Sequence, residues 1–187
     1  MTFRSKTMTF SEILQYSTSK TRVLLYTSQF SIAKMVFHVL DFSGKEYDFF
    51  LMNGENRFSN HDFVILETDD AEKAKDFEPN IILISEEINS DDLVSVLEKI
   101  TPGGVLIYPE NKEVLIEKAE NYFRKLPFSP TEISKSDDNF ILHTDMGNIP
   151  LISKEEDLLK NINGIQLLCQ QFGVMEEDFY EPMMTFE

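Results

Sequence analysis

Four short apolar runs constrain this chain most: Val23-Leu24-Leu25-Tyr26, Val64-Ile65-Leu66, Ile81-Ile82-Leu83-Ile84 and Val105-Leu106-Ile107-Tyr108. None alternates between polar and apolar residues, and each is short for a buried helix. Such runs read as strands covered on both faces, the situation of a parallel sheet. Amphipathic segments lie between them. Ile32, Val36, Val39 and Leu40 form one helical stripe, with Gly44 as its stop. Ser90 stands as the cap of a helix burying Leu93, Val94, Val96 and Leu97, which Pro102-Gly103-Gly104 breaks. A further helix is predicted from Asn111 through Phe123. Tyr47 to Met52 adds a strand closed by Asn53-Gly54. The alternation predicts an α/β fold: a three-layer α/β/α domain with a mainly parallel sheet.

The pattern changes after Phe123. Phe128–Ser134, Phe140–Thr144 and Ile149–Ile152 read as exposed strands, with a turn at Asp145-Met146-Gly147-Asn148. They predict an antiparallel extension at one sheet edge. Glu155 to Phe172 reads as one long helix with Leu158, Leu159, Ile162, Ile165 and Leu168 inside and Gly173 as its stop. Residues 176–187 follow as an acidic helix or tail. At the other end residues 1–8 are expected to be flexible, and Thr9 and Glu12 have capping-box spacing. The expectation is a single domain over 1–187.

Charge narrows the function. Lys plus Arg number 17 against 33 Asp plus Glu, a net charge of −16. That disfavours a nucleic-acid partner, which needs a basic face, and an anionic membrane surface. The single cysteine, Cys169, excludes an intramolecular disulfide or a cysteine zinc site, and a reducing cytoplasm is the simplest setting. Histidines 38, 61 and 143 lack metal-ligand spacing. No Gly-x-Ser-x-Gly elbow or Gly-x-Gly-x-x-Gly fingerprint occurs. The turn after the first strand, Tyr26-Thr27-Ser28-Gln29-Phe30-Ser31, is where a phosphate loop would sit, yet it has no glycine and no Gly-Lys-Ser/Thr.

Four segments in order carry a resemblance: Phe10-Ser11-Glu12-Ile13-Leu14 leading to Lys20-Thr21-Arg22-Val23; Phe63-Val64-Ile65-Leu66-Glu67-Thr68-Asp69-Asp70; Glu78-Pro79-Asn80 into Ile81–Ser85; and Ile100-Thr101-Pro102-Gly103-Gly104 into Val105–Tyr108. Cys169 through Val174 and Asp178-Phe179-Tyr180 extend it. Together they resemble the central domain of the Mur ligases, the ATP-dependent enzymes that build the peptide stem of peptidoglycan. The resemblance is nearest to the UDP-N-acetylmuramate–peptide ligases, including the muropeptide-recycling branch. It implies a P-loop-like central domain, here without the UDP-binding domain before it and the ligase domain after it.

The resemblance also implies a nucleotide site whose parts are depleted. In place of the Gly-Lys-Thr/Ser loop stand the vestigial positions Thr27, Ser28 and Ser31, of which Thr27 and Ser28 are able to hydrogen-bond an anion. Lys34 comes a turn too late and reads as a solvated helix lysine. Glu67, Asp69 and Asp70 match the family's acidic strand end, which places a magnesium carboxylate; the plain alternative is a solvated acidic loop. Glu86-Glu87 stand where the family has an Asp-His pair. Asn161 is the one retained position opening the last helix, or else a solvent-facing asparagine. The reading is a non-catalytic Mur-ligase-like pseudoenzyme without a cofactor, acting as a binding or scaffold module. Its expected partner is another protein or itself, linked to peptidoglycan synthesis or recycling. The alternatives are a residual Mg-ATP-dependent enzyme and a muropeptide- or nucleotide-binding protein. The cluster Phe179-Tyr180, Pro182-Met183-Met184 and Phe186 is either an exposed apolar patch or a segment folded back on the domain.

Overall fold

A computed structural model describes residues 8–89, 91–136, 139–145 and 147–186. In chain order the elements are α1 (Phe10–Ser17), β1 (Thr21–Tyr26), α2 (Phe30–Phe42), β2 (Asp48–Phe50), β3 (Asn56–Arg57), β4 (Phe63–Thr68), α3 (Ala71–Phe77), β5 (Ile81–Ile84), α4 (Leu93–Leu97) and β6 (Val105–Pro109). Then come α5 (Glu113–Ile116), β7 (Arg124–Phe128), β8 (Ile133–Ser136), β9 (Asn139–Thr144), β10 (Gly147–Leu151), α6 (Glu156–Lys160), α7 (Ile162–Gln171) and α8 (Glu176–Met183).

Seven strands form the main sheet in the order β3-β2-β4-β1-β5-β6-β7. All neighbours are parallel except the short β2–β3 pair. The apolar runs behave as their composition requires. Val23 and Leu25 of β1 face one core with α2, α7 and α8; Leu24 and Tyr26 face the other with α3 and α4. All four are buried. The chain leaves β1 towards β2 on one side and returns after β4 to β5 on the other. The carboxyl ends of β1, β4 and β5 therefore border the switch-point crevice, where ligands of open α/β sheets bind.

Two details fix the layers. Thr9 caps α1 in a full capping box with Glu12, as its spacing predicts. Asp48, fully buried, accepts bonds from Tyr16 Oη (2.5 Å), the Ser59 amide (2.7 Å) and the His61 amide (3.0 Å), tying α1 and the loop before β4 to β2. Burial and then the Asp48 carboxylate push the Tyr16 hydroxyl up to about 12.

The later chain departs from expectation in four places. The segment 111–123 is no continuous helix: a 3-10 turn (Glu110–Lys112) and α5 end at Ile116. Asn121 Nδ2 instead donates to the Leu97 and Ile100 carbonyls at the end of α4, where open carbonyls need donors. The strand expected at 128–134 is divided: Phe128 ends β7, paired parallel to β6, while Ile133 and Ser134 open β8, paired antiparallel to β9. The antiparallel strands β8, β9 and β10 form a three-stranded sheet of their own, not an extension hydrogen-bonded to the main sheet's edge. Finally, the helix predicted over 155–172 breaks at Asn161 into α6 and α7, for a reason seen in the site below. The cap expected at Ser90 and the turn residue Met146 lie outside the described residues, as do residues 1–7.

The C-terminal aromatic cluster folds back. Phe179, Met183 and Phe186 are buried against the α2 side, and His38 Nε2 donates to the Pro182 carbonyl at 3.0 Å. Gly164 of α7 sits against β7: a Cβ there would lie 2.5 Å from the Phe128 ring. Gly164→Ala is therefore expected to cost ~1–3 kcal/mol by overpacking, seen as a melting temperature lower by several degrees.

Candidate functional site

The turn after β1 carries polar groups that a buried strand end cannot leave unpaired. The Thr27 amide donates to the Thr68 carbonyl, and the Gln29 amide to Thr27 Oγ1 (3.0 Å). Four further donors converge on one atom, Oε1 of Glu87. Thr27 Oγ1 reaches it at 2.7 Å, the Ser28 amide at 3.1 Å, Ser28 Oγ at 3.4 Å, and Ser85 Oγ at 2.7 Å. Thr27 and Ser28 thus hydrogen-bond an anion. The anion is the chain's own carboxylate, held where a phosphate loop would hold phosphate.

The loop carrying Glu87 is pinned from behind. Asn161, only 1% exposed, accepts from the Glu86 amide (2.8 Å) and donates to the Asp157 carbonyl (2.8 Å). Its Nδ2 takes the Asp157 carbonyl four residues back while its own amide bonds the Leu158 carbonyl, and the last helix is interrupted there. It is a buried brace and does not face solvent. Lys112, buried, donates to the Glu86 carbonyl at 3.1 Å. Burial lowers the proton affinity of its ammonium, while the Glu86 and Glu87 carboxylates act in the opposite sense.

Ser31 lies apart from this cradle. With Gln29, Phe30 and Lys34 it lines a cleft of about 510 Å³ whose other wall is Glu155, Glu156, Asp157 and Phe186. Carboxylates facing the N-terminus of α2 suit the helix dipole and oppose a triphosphate. The exposed Lys34 lies with its ammonium 4.7 Å from the centre of the Phe30 ring.

The three acids at the end of β4 do different things. Asp70 caps α3, accepting from the amides of Glu72 (2.9 Å) and Lys73 (3.2 Å). Asp69 is exposed. Glu67 is 1% exposed; Oε2 accepts from the Met52 amide at 3.3 Å, and Oε1 is buried with no partner. Burial, with Asp69 and Glu55 nearby, raises the proton affinity of Glu67. Among the described residues no group of three or more His, Cys, Asp or Glu stands together to hold a metal ion. Cys169 is fully buried in α7, as a packed residue.

Sequence reasoning missed Glu87 as the partner of the turn, with Ser85 bonding the same carboxylate and Lys112 bonding its loop. The available signal was Glu86-Glu87 immediately after β5, beside a turn rich in hydroxyls.

The fold has known counterparts. The chain is similar to MurF from Acinetobacter baumannii, with a TM-score of 0.68 and 16% identity over 95% of this chain and 48% of that one. It is similar to the UDP-N-acetylmuramate:L-alanyl-γ-D-glutamyl-meso-diaminopimelate ligase from Neisseria meningitides, with a TM-score of 0.65 and 14% identity over 95% of this chain and 68% of that one. MurF ligase from Thermotoga maritima in complex with ADP matches with a TM-score of 0.66 and 13% identity over 97% of this chain and 53% of that one. The chain thus shares the fold of the Mur ligases and spans about half the length of the MurF structures it matches. No protein-family model matches it, and no curated protein matches it in sequence. Among the described residues no helix is long and apolar enough to cross a membrane.

Glu67 carries a pH signature. Its proton affinity is higher folded than unfolded, so it favours the folded state below the ordinary glutamate value of 4.5, and that contribution is lost as pH rises through the folded value. Glu67→Gln is expected to melt higher than wild type at pH 8, with the gap closing as pH falls towards 4.5, in melting curves recorded across that range.

Proposed function

We propose that this chain is a non-catalytic Mur-ligase-like binding module, a pseudoenzyme whose partner is another protein or a second copy of itself. The proposed setting is peptidoglycan synthesis or recycling, by analogy with ligases of the same fold. The observation that supports the reading best is Glu87. Its carboxylate takes the Thr27, Ser28 and Ser85 donors that a nucleotide phosphate would need. A triphosphate would have to displace a carboxylate held by its own chain, then meet the acidic wall of Glu155, Glu156 and Asp157. Both demands act against binding through charge as well as space. Protein binding needs no such turn and leaves the rigid α/β frame as a platform.

One neighbour of this fold was solved with ADP, so Mg-ATP is the fitting challenge. Saturating ligand at about 100 times its dissociation constant adds roughly 2.7 kcal/mol to a folded state. Wild-type protein with millimolar Mg-ATP is expected to melt within a degree of the free protein. A rise of several degrees would overturn the reading and favour a residual nucleotide-dependent enzyme.

Glu87→Ala supplies a second check. It removes the acceptor of the buried Thr27 and Ser85 hydroxyls and of the exposed Ser28 amide and hydroxyl, and is expected to destabilise the fold by ~1–3 kcal/mol. A neutral result in denaturant unfolding would show that the carboxylate is not held as described.

A further inference from the structure

A second cleft, of about 210 Å³, opens between α1, the turn after β2, the end of β4 and the start of α3. Its wall is mostly apolar, with Met8, Phe10, Ile13, Phe50 and Met52 among the lining residues, and Glu67 reaches it from β4. The Glu67 carboxylate is the anomaly. Only one of its oxygens has a protein partner, and that bond is long; the other is buried and bonded to nothing. A buried carboxylate oxygen in this state destabilises the fold unless something else meets it. Asp69 and Glu55 add further negative charge around it.

We propose that Glu67 anchors a small-ligand site in this cleft, taking a primary ammonium carried on an apolar stem. The ammonium supplies the missing donor to Glu67 Oε1 and neutralises the local charge. The stem replaces water against Phe10, Ile13, Phe50 and Met52. A hard divalent cation is the poorer match, because it requires six or more oxygens and the lining is largely apolar. Lys73 also lines the cleft, but it is exposed and its ammonium lies 3.9 Å from the Asp70 carboxylate at the rim. The cleft adjoins the Glu87 cradle, since Thr68 lines it and accepts from the Thr27 amide, but it has its own lining, and the proposal does not depend on the function proposed above.

The chemistry has two natural sources, a free alkylamine or a lysine side chain on a polypeptide. Butylammonium chloride reproduces what they share, with butanol as the neutral isostere. Amide spectra of the full chain would be followed during titration to about 50 mM, well past the ~1 mM range reachable by so small a ligand. The expected result is saturable movement of the Met52, Leu66, Glu67, Thr68 and Lys73 amides with butylammonium, and affinity for butanol lower by about tenfold or more. Glu67→Gln should lose the same factor while keeping a folded spectrum. Should that variant misfold, Lys73→Met serves instead: removing the competing surface cation should tighten butylammonium about threefold.

Nα-acetyl-lysine methylamide separates the sources. Equal binding would support a lysine in a chain as the ligand, and weaker binding a free amine. No saturable movement at these amides, undiminished binding by Glu67→Gln, or displacement of butylammonium by magnesium chloride with the same amides shifting would each overturn the proposal. The last outcome would assign the cleft to a metal ion instead.

Discussion

Everything in this structure depends on β1 being surrounded. It has β4 on one edge, β5 on the other, and a helical layer against each face. From Val23 through Thr27 the chain is buried. The backbone and hydroxyl groups of the turn that follows must therefore be paired where the strand ends. In nucleotide-binding relatives of this architecture such a turn serves phosphate. Here the same geometric need is met by Glu87, delivered by the loop after the neighbouring strand β5.

That substitution has consequences along the chain. A carboxylate can be held in the turn only if its loop is fixed, and Asn161 fixes it by bonding the Glu86 amide. Asn161 in turn must leave a regular helical path, which divides the last helix. Lys112 closes the arrangement from β6's end by bonding the Glu86 carbonyl. A turn, a loop, a helix break and a buried lysine are thus parts of one polar network. A net charge of −16 would otherwise make it costly to keep a carboxylate in such a position.

The order of buried strands was legible because runs such as Ile81–Ile84 suit little else than a strand covered on both faces. The capping box at Thr9 and the stop at Gly173, which adopts φ +75°, were legible because they are local. The segment 111–123 misled because its apolar spacing also fits a short helix followed by a loop. What ended that helix was Asn121 reaching the carbonyls of α4, a long-range contact. Asn161 misled for the same reason, since its partner lies 75 residues away. The acidic group Glu67, Asp69 and Asp70 looked like one site. Strand alternation and the capping of α3 send its members to separate tasks.

By itself, the sequence determined the parallel α/β sheet, the missing Gly-Lys-Ser/Thr turn and the position of the hydroxyls at 27 and 28. Composition and short-range spacing fix those properties, and no distant partner is needed to read them. Only the tertiary structure decided that those hydroxyls are already occupied, that Asn161 is a buried brace and that Glu67 keeps an unpaired oxygen beside an apolar cleft. Each of these depends on which side chain arrives from another strand or loop. Hydrogen bonds act over about 3 Å, so residues remote in sequence become partners only after the sheet has set their positions.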